Sequence, residues 1–177
     1  PLRNHVALAT REANIQGAGA VGLGELVKAT LRMRPDRIIL GECRGEEIAD
    51  LLRAYNSGHH GGMTTLHANG VEHVPSRLIT LGLLSGLTPA GLSMLAENAF
   101  DAVLHLERVH GLRRISQIGR LTNVGGRLVG ETLACWPGAG QASLSPSWQQ
   151  FAQRWQQSDA IPSTSFIPAQ RRTSNER

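Results

Sequence analysis

The amino-acid sequence predicts an α/β fold: a parallel sheet flanked by helices, then an antiparallel strand extension and a disordered tail. Short apolar runs at Ile38-Ile-Leu40 and within Gly61–Asn69 lie one strand-helix unit apart, as neighbouring parallel strands do. From Ala102 to Ala134 the apolar spacing changes from helical to alternating, which marks the extension. The 20 glycines and an aromatic content of only 4% suit tight strand-to-helix turns better than an all-β sandwich.

Taken in order, Val6-Ala-Leu-Ala-Thr10 reads as a strand, and Ile15–Gly22 as a mobile glycine-rich loop without hydrophobic periodicity. Leu23, Leu26, Val27 and Leu31 form the apolar stripe of a helix that Pro35 ends. Arg32 and Arg34 extend from its last turn, where they either complement the helix dipole or reach a phosphate or an interface. Ile38–Leu40 follows as a short strand buried on both faces and closed by Gly41. Ile48, Leu51, Leu52 and Tyr55 make the inner face of the next helix. Glu46 and Glu47 fall in its first turn, and the helix dipole accounts for them as structural acids.

Asn56–Gly62 breaks that helix and leads into the second strand. Glu72–Leu84 predicts a helix with Val74, Leu78 and Leu81 inward and Arg77 outward. Thr88-Pro89 is an N-cap and first-turn pair for a further helix, which faces the core through Leu92, Leu95, Ala96 and Ala99. Ala102, Leu104 and Leu106 then alternate with Val103, His105 and Glu107, and two more strands, 112–121 and 127–134, are joined by the turn Asn123-Val-Gly-Gly126.

These elements make one domain over residues 1–136, and 137–177 is a mobile Gly/Ser/Gln/Pro-rich tail that buries too little apolar surface to offset its ordering entropy. Within the tail, Trp148, Phe151 and Trp155 at helical spacing predict a short amphipathic turn that packs on this domain or docks on a neighbour.

The net charge is +4, and every one of the 18 basic residues except Lys28 is arginine. Codon bias explains such a skew, and so does a need for bidentate phosphate or carboxylate contacts. A pI near 10 permits nucleic-acid or anionic-lipid binding without requiring it. No basic run exceeds two residues, which argues against nucleic acid as the main partner. Cys43 and Cys135 are distant and in no metal-ligand spacing, which fits a reducing cytoplasm. His59, His60, His67 and His73 match no zinc signature. No stretch approaches the roughly 20 apolar residues that cross a bilayer.

Chemistry concentrates at the ends of the two predicted parallel strands. Glu42 lies just past the first, next to a glycine that lets a ligand approach, where open α/β sheets bind ligands. It is either a catalytic acid or a cap on the following helix. Thr64, Thr65, His67 and Asn69 end the second strand and can all hydrogen-bond a polar ligand, so the two ends predict one shared cleft.

The stretches Arg37-Ile-Ile-Leu-Gly-Glu-Cys-Arg44, Ser57-Gly-His59 and Thr64-Thr-Leu-His-Ala-Asn69, in that order and spacing, resemble the secretion ATPases of the type II and type IV systems, a family that includes pilus motors. Arg32-Met-Arg-Pro-Asp-Arg37 is most similar to its tight-adherence pilus branch, and the resemblance runs from about Leu8 to Leu133. It implies a RecA-like P-loop NTPase core that hydrolyses ATP with Mg²⁺, with Ile38–Glu42 as the Walker B strand and Thr65–Asn69 as the histidine box. It implies that Glu42 orients water and holds the metal indirectly, that His67 senses the γ-phosphate, and that Gly41, Thr65 and Asn69 line the nucleotide site. Arg11, in Thr10-Arg-Glu-Ala-Asn14, resembles the arginine that reaches phosphates across a subunit interface, or else is an ordinary surface arginine. Arg44 is implied at phosphate or at the subunit joint. A homo-hexamer, inner-membrane platform proteins as partners, and a cytoplasmic site peripheral to the inner membrane follow from the same resemblance.

No G-x-x-x-x-G-K-[ST] loop occurs in the 177 residues, and residue 1 is proline, so the expectation is the back half of a nucleotide site. Two other readings remain: a truncated, inactive subunit that keeps its interface but cannot hydrolyse ATP, and a basic nucleic-acid-binding domain.

Overall fold

The computed structural model describes residues 4–59 and 61–156, which divide between a unit ending at Ser145 and a second beginning at Pro146. The first unit contains α1 (Leu23–Arg32), β1 (Ile39–Leu40), α2 (Glu47–Asn56), β2 (Met63–Thr64), a 3₁₀ turn (Val71–His73), α3 (Val74–Leu84) and α4 (Pro89–Glu97). Four strands follow: β3 (Val103–Val109), β4 (Leu112–Val124), β5 (Arg127–Cys135) and β6 (Ser143–Leu144).

β1 and β2 pair in parallel, with Ile39 opposite Met63 and Leu40 opposite Thr64. Ile38 and Leu40 point into a core built from Val27, Ile48, Leu51, Leu52, Leu78, Leu81 and Leu92, at the centre of which α2 lies. The expectation of burial on both faces is corrected here: Ile39 is 64% exposed and Met63 61% exposed. Alternate residues of a strand face opposite sides, and among the described residues no helix covers the second side. Gly62 is demanded by packing, because a Cβ there would lie 2.4 Å from the Tyr55 ring and 2.7 Å from Ile38 O.

The helices follow their sequence signals. α1 opens with the Glu25 carboxylate accepting from Gly22 N–H at 3.0 Å. α4 opens with the Thr88 hydroxyl accepting from Gly91 N–H at 3.1 Å, with Pro89 in its first turn. Arg77, expected outward, is only partly exposed, and its Nε is buried without a hydrogen-bond partner.

Val6–Thr10 forms no strand: Val6 and Leu8 are exposed, because an apolar run becomes a strand only beside another, and none lies beside it among the described residues. The glycine-rich loop after it is tied by hydrogen bonds. Arg11 and Val21 exchange backbone bonds at 3.1 and 2.9 Å, and the Asn14 side-chain oxygen accepts from Gln16 and Ala18 N–H.

The antiparallel sheet runs β3-β4-β5-β6. β4 and β5 meet at Gly125 and Gly126, whose φ of 60° and 81° supply the left-handed pair that a two-residue hairpin turn needs. β6, antiparallel to β5, lies in the segment expected to be tail, and the first unit ends at Ser145. The apolar residues of β3 face the other way from the alternation expected. Val103 pairs with Gly119 on the core side, which turns Leu104 and Leu106 to solvent.

That sheet grips the chain just after β2. Val71, fully buried, sits over Gly119 and Gly130, where added Cβ atoms would lie 2.4 Å from its side chain and 2.2 Å from its carbonyl oxygen, respectively. Val71 N–H also donates to the Gln117 side chain at 2.9 Å. In the second unit, α5 (Trp148–Gln156) is the helix expected from the aromatic spacing, with Phe151 in ring contact with Trp148 and Trp155 at 5.9 and 6.0 Å. The rest of the tail, from residue 157, lies outside the described residues.

Candidate functional site

Backbone pairing brings the two strand ends together. Beyond Leu40 and Thr64 the chains stay joined, because Cys43 N–H donates to Thr65 O at 2.8 Å and the Thr65 hydroxyl donates to Gly41 O at 2.7 Å. Glu42 is therefore held beside the segment that carries His67.

The Glu42 carboxylate meets a cation or an imidazole on each oxygen. Arg44 Nη2 lies 2.5 Å from Oε2, and His67 Nε2 lies 2.9 Å from Oε1. The hydrogen bond from Arg44 holds the Glu42 carboxyl below its usual pKa; desolvation opposes this, and the charges of Arg44 and His67 reinforce it. Glu42 is thus an ionised carboxylate at neutral pH. Oε1 is shielded from solvent, and its contact with His67 falls short of hydrogen-bond geometry. His67 itself is 85% exposed at the side chain.

The other expected site residues divide. Gly41, Thr65 and Asn69 are exposed on the same strand ends, and a Cβ at Gly41 would meet nothing within 4 Å, so space is open there. Arg11 is not part of the Glu42 group: its Nε donates to Gly19 O at 2.6 Å, within its own loop. The shared surface is open rather than a deep cleft. A cleft of about 440 Å³ lies elsewhere, between α1 and α2, lined by Gly22, Lys28, Glu46, Asp50 and Arg53 among others, and by neither Glu42 nor His67.

Between Glu42 and α2 the structure shows a residue the sequence reading assigned only to the helix dipole. Glu47 is 6% exposed, and its Oε1 accepts both Arg44 N–H at 2.6 Å and Gly45 N–H at 2.9 Å. Burial opposes its charge, but the backbone hydrogen bonds from Arg44, Glu47 itself and Gly45 outweigh that and keep its pKa low. Cys43, facing it, is pushed up to about 12, first by burial and then by the Glu47 charge and hydrogen bond. Its thiol is protonated at neutral pH and is no nucleophile. The signal for Glu47 was its place three residues after Arg44, the reach of an acid that folds back on the backbone at a helix start.

Residues 7–117 match the family model described as "Type II/IV secretion system protein". A Mycobacterium tuberculosis protein named for conjugal transfer is 45% identical over 129 residues, covering 72% of this chain and 37% of that protein. The type IV secretion system protein PtlH of Bordetella pertussis is 37% identical over 115 residues, covering 63% of this chain and 34% of that protein. The crystal structure of the VirB11 ATPase from the Brucella suis type IV secretion system, in complex with sulphate, superposes with a TM-score of 0.51 at 33% identity. That match covers 55% of this chain and 31% of VirB11, so the chain spans about a third of the length of these proteins. With well over half of its residues inside the family model, and with the Glu42 and His67 strand ends lying within that match, the chain belongs to the type II/IV secretion system protein family.

Proposed function

We propose that this chain forms part of a RecA-like ATPase that powers type II or type IV secretion or pilus assembly. The observation that carries the reading is the Glu42 carboxylate at the end of β1, ionised and faced by Arg44 and His67 from the two joined strand ends. In P-loop hydrolysis a protein mainly positions groups and stabilises charge, and an ionised acid at this place orients water for attack on a phosphate.

The residues fit a nucleotide with its magnesium ion. Glu42, an ionised carboxylate, would hold the metal through water once Arg44 or His67 gives way, and Gly41 leaves open space beside it. Bound magnesium would supply neutralisation of phosphate charge. His67, exposed on the second strand end, would contact the terminal phosphate in this reading, and Thr65 and Asn69 offer polar groups on the same segment. Arg44 is bound to Glu42, so reaching a phosphate requires it to leave that carboxylate. Arg11, tied into its own loop, serves a neighbouring subunit's site rather than its own in this reading. Phosphate-cradling backbone and its lysine come from residues other than these 177.

The working assembly in this proposal is a homo-hexamer in the cytoplasm that meets the inner membrane through platform proteins. Among the described residues no helix is long and apolar enough to cross a membrane. The wording of Arg32–Arg37 supports the tight-adherence branch, whereas the names of the relatives support conjugal transfer and type IV secretion. The deciding experiment is ATP turnover by the complete protein and its Glu42→Gln variant. A loss of roughly 10²-fold or more with nucleotide binding kept is expected, since the change removes basicity and preserves shape. Turnover within a few-fold of the parent would refute the assignment of Glu42.

A further inference from the structure

We propose that Glu47 is the positioning residue of the Glu42 and Arg44 site, and that its single oxygen sets where both side chains point. This rests on the ATPase reading above. Three residues separate Glu42 from Glu46, the N-cap of α2. Glu47 Oε1 takes two N–H groups of that span, those of Arg44 and Gly45. The N–H of Cys43, next before them, goes to Thr65 O across the strand pair. The turn is thus fastened at consecutive amides, on one side to α2 and on the other to the segment leading to His67.

The fastening is tight. Glu47 is 6% exposed, Cys43 1% exposed, and a Cβ at Gly45 would lie 3.0 Å from the second Glu47 oxygen. Glu42 immediately precedes this anchored segment and Arg44 lies within it, and their side chains meet at 2.5 Å. A shift of the turn therefore moves acid and arginine together, and displacements near 1 Å at a reacting centre cost about 10²-fold in rate.

A helix-dipole role and a positioning role make opposite demands on Glu47. The dipole needs negative charge and accepts aspartate; positioning needs an acceptor oxygen at full glutamate length and accepts glutamine. The test is steady-state ATP hydrolysis by the complete protein carrying Glu47→Gln or Glu47→Asp, with Glu42→Gln as the control. Glu47→Gln is expected to keep kcat within about threefold of the parent. Glu47→Asp is expected to lower kcat by at least about tenfold with KM changed by less than about threefold. The reverse order, equal rates for both, or a fall confined to KM would overturn the proposal. If the parent does not hydrolyse ATP, or if Glu42→Gln remains active, the ATPase reading itself fails. Loss of turnover in Glu42→Gln with both Glu47 variants at parental rates refutes the positioning role alone.

Discussion

Cys43 shows how one buried corner couples the site to stability. Its thiol ordinarily ionises near 9.0 and is pushed up to about 12 in the folded chain, so between those values the unfolded chain releases a proton that the folded chain retains. Stability is therefore fully present below about pH 9 and declines as pH rises toward 12, by at most about 1.4 kcal/mol per pH unit for one proton. Tyr55, raised from 10.0 to about 12 by burial, acts in the same direction. Urea midpoints at pH 8 and pH 10.5 should show this decline, and Cys43→Ala should flatten it. At pH 8 a disulfide reagent should also label Cys135 well before the buried Cys43. Arg11→Ala is expected to be poorly active in the complete assembly, and mixing it with Glu42→Gln subunits should restore part of the turnover, since the two lesions fall on different interfaces. Absence of rescue at every mixing ratio would place Arg11 in its own subunit's site.

Among the elements, helices were legible because caps and stripes are local. Thr88-Pro89 starts α4, and Ile48, Leu51, Leu52 and Tyr55 are the buried face of α2, as their spacing predicts. The β-sheet faces were not. A strand's alternation says that two sides differ but not which one a neighbour covers, which is why Ile39 and Leu104 lie exposed. The seat of Val71 on Gly119 and Gly130 was hidden for a related reason, as the residues are far apart in sequence. It gives a sharp test: Gly130→Ala pushes a Cβ against the Val71 carbonyl and should destabilise the fold by about 1–3 kcal/mol. Denaturant melts would show it, and an unchanged midpoint would mean that the turn after His67 yields freely.

For the molecule as a whole, these 177 residues by themselves should bind Mg-ATP feebly and not hydrolyse it. Glu42 brings negative charge to a polyphosphate, and the 177 residues contain no G-x-x-x-x-G-K-[ST] loop whose backbone nest and lysine would hold the phosphates. Titration calorimetry with a dissociation constant in the low micromolar range would overturn this. By itself the sequence determined the helices, a hairpin turn within Asn123–Gly126, and the family, through motifs that are short contiguous runs with characteristic spacing. Only the tertiary structure decided that Glu42 is gripped by Arg44 and His67, that Glu47 reaches back to the turn between, and that Arg11 stands apart. Those facts depend on side-chain direction and on pairs of residues brought together by the parallel pairing of β1 and β2, and neither is written in local residue order.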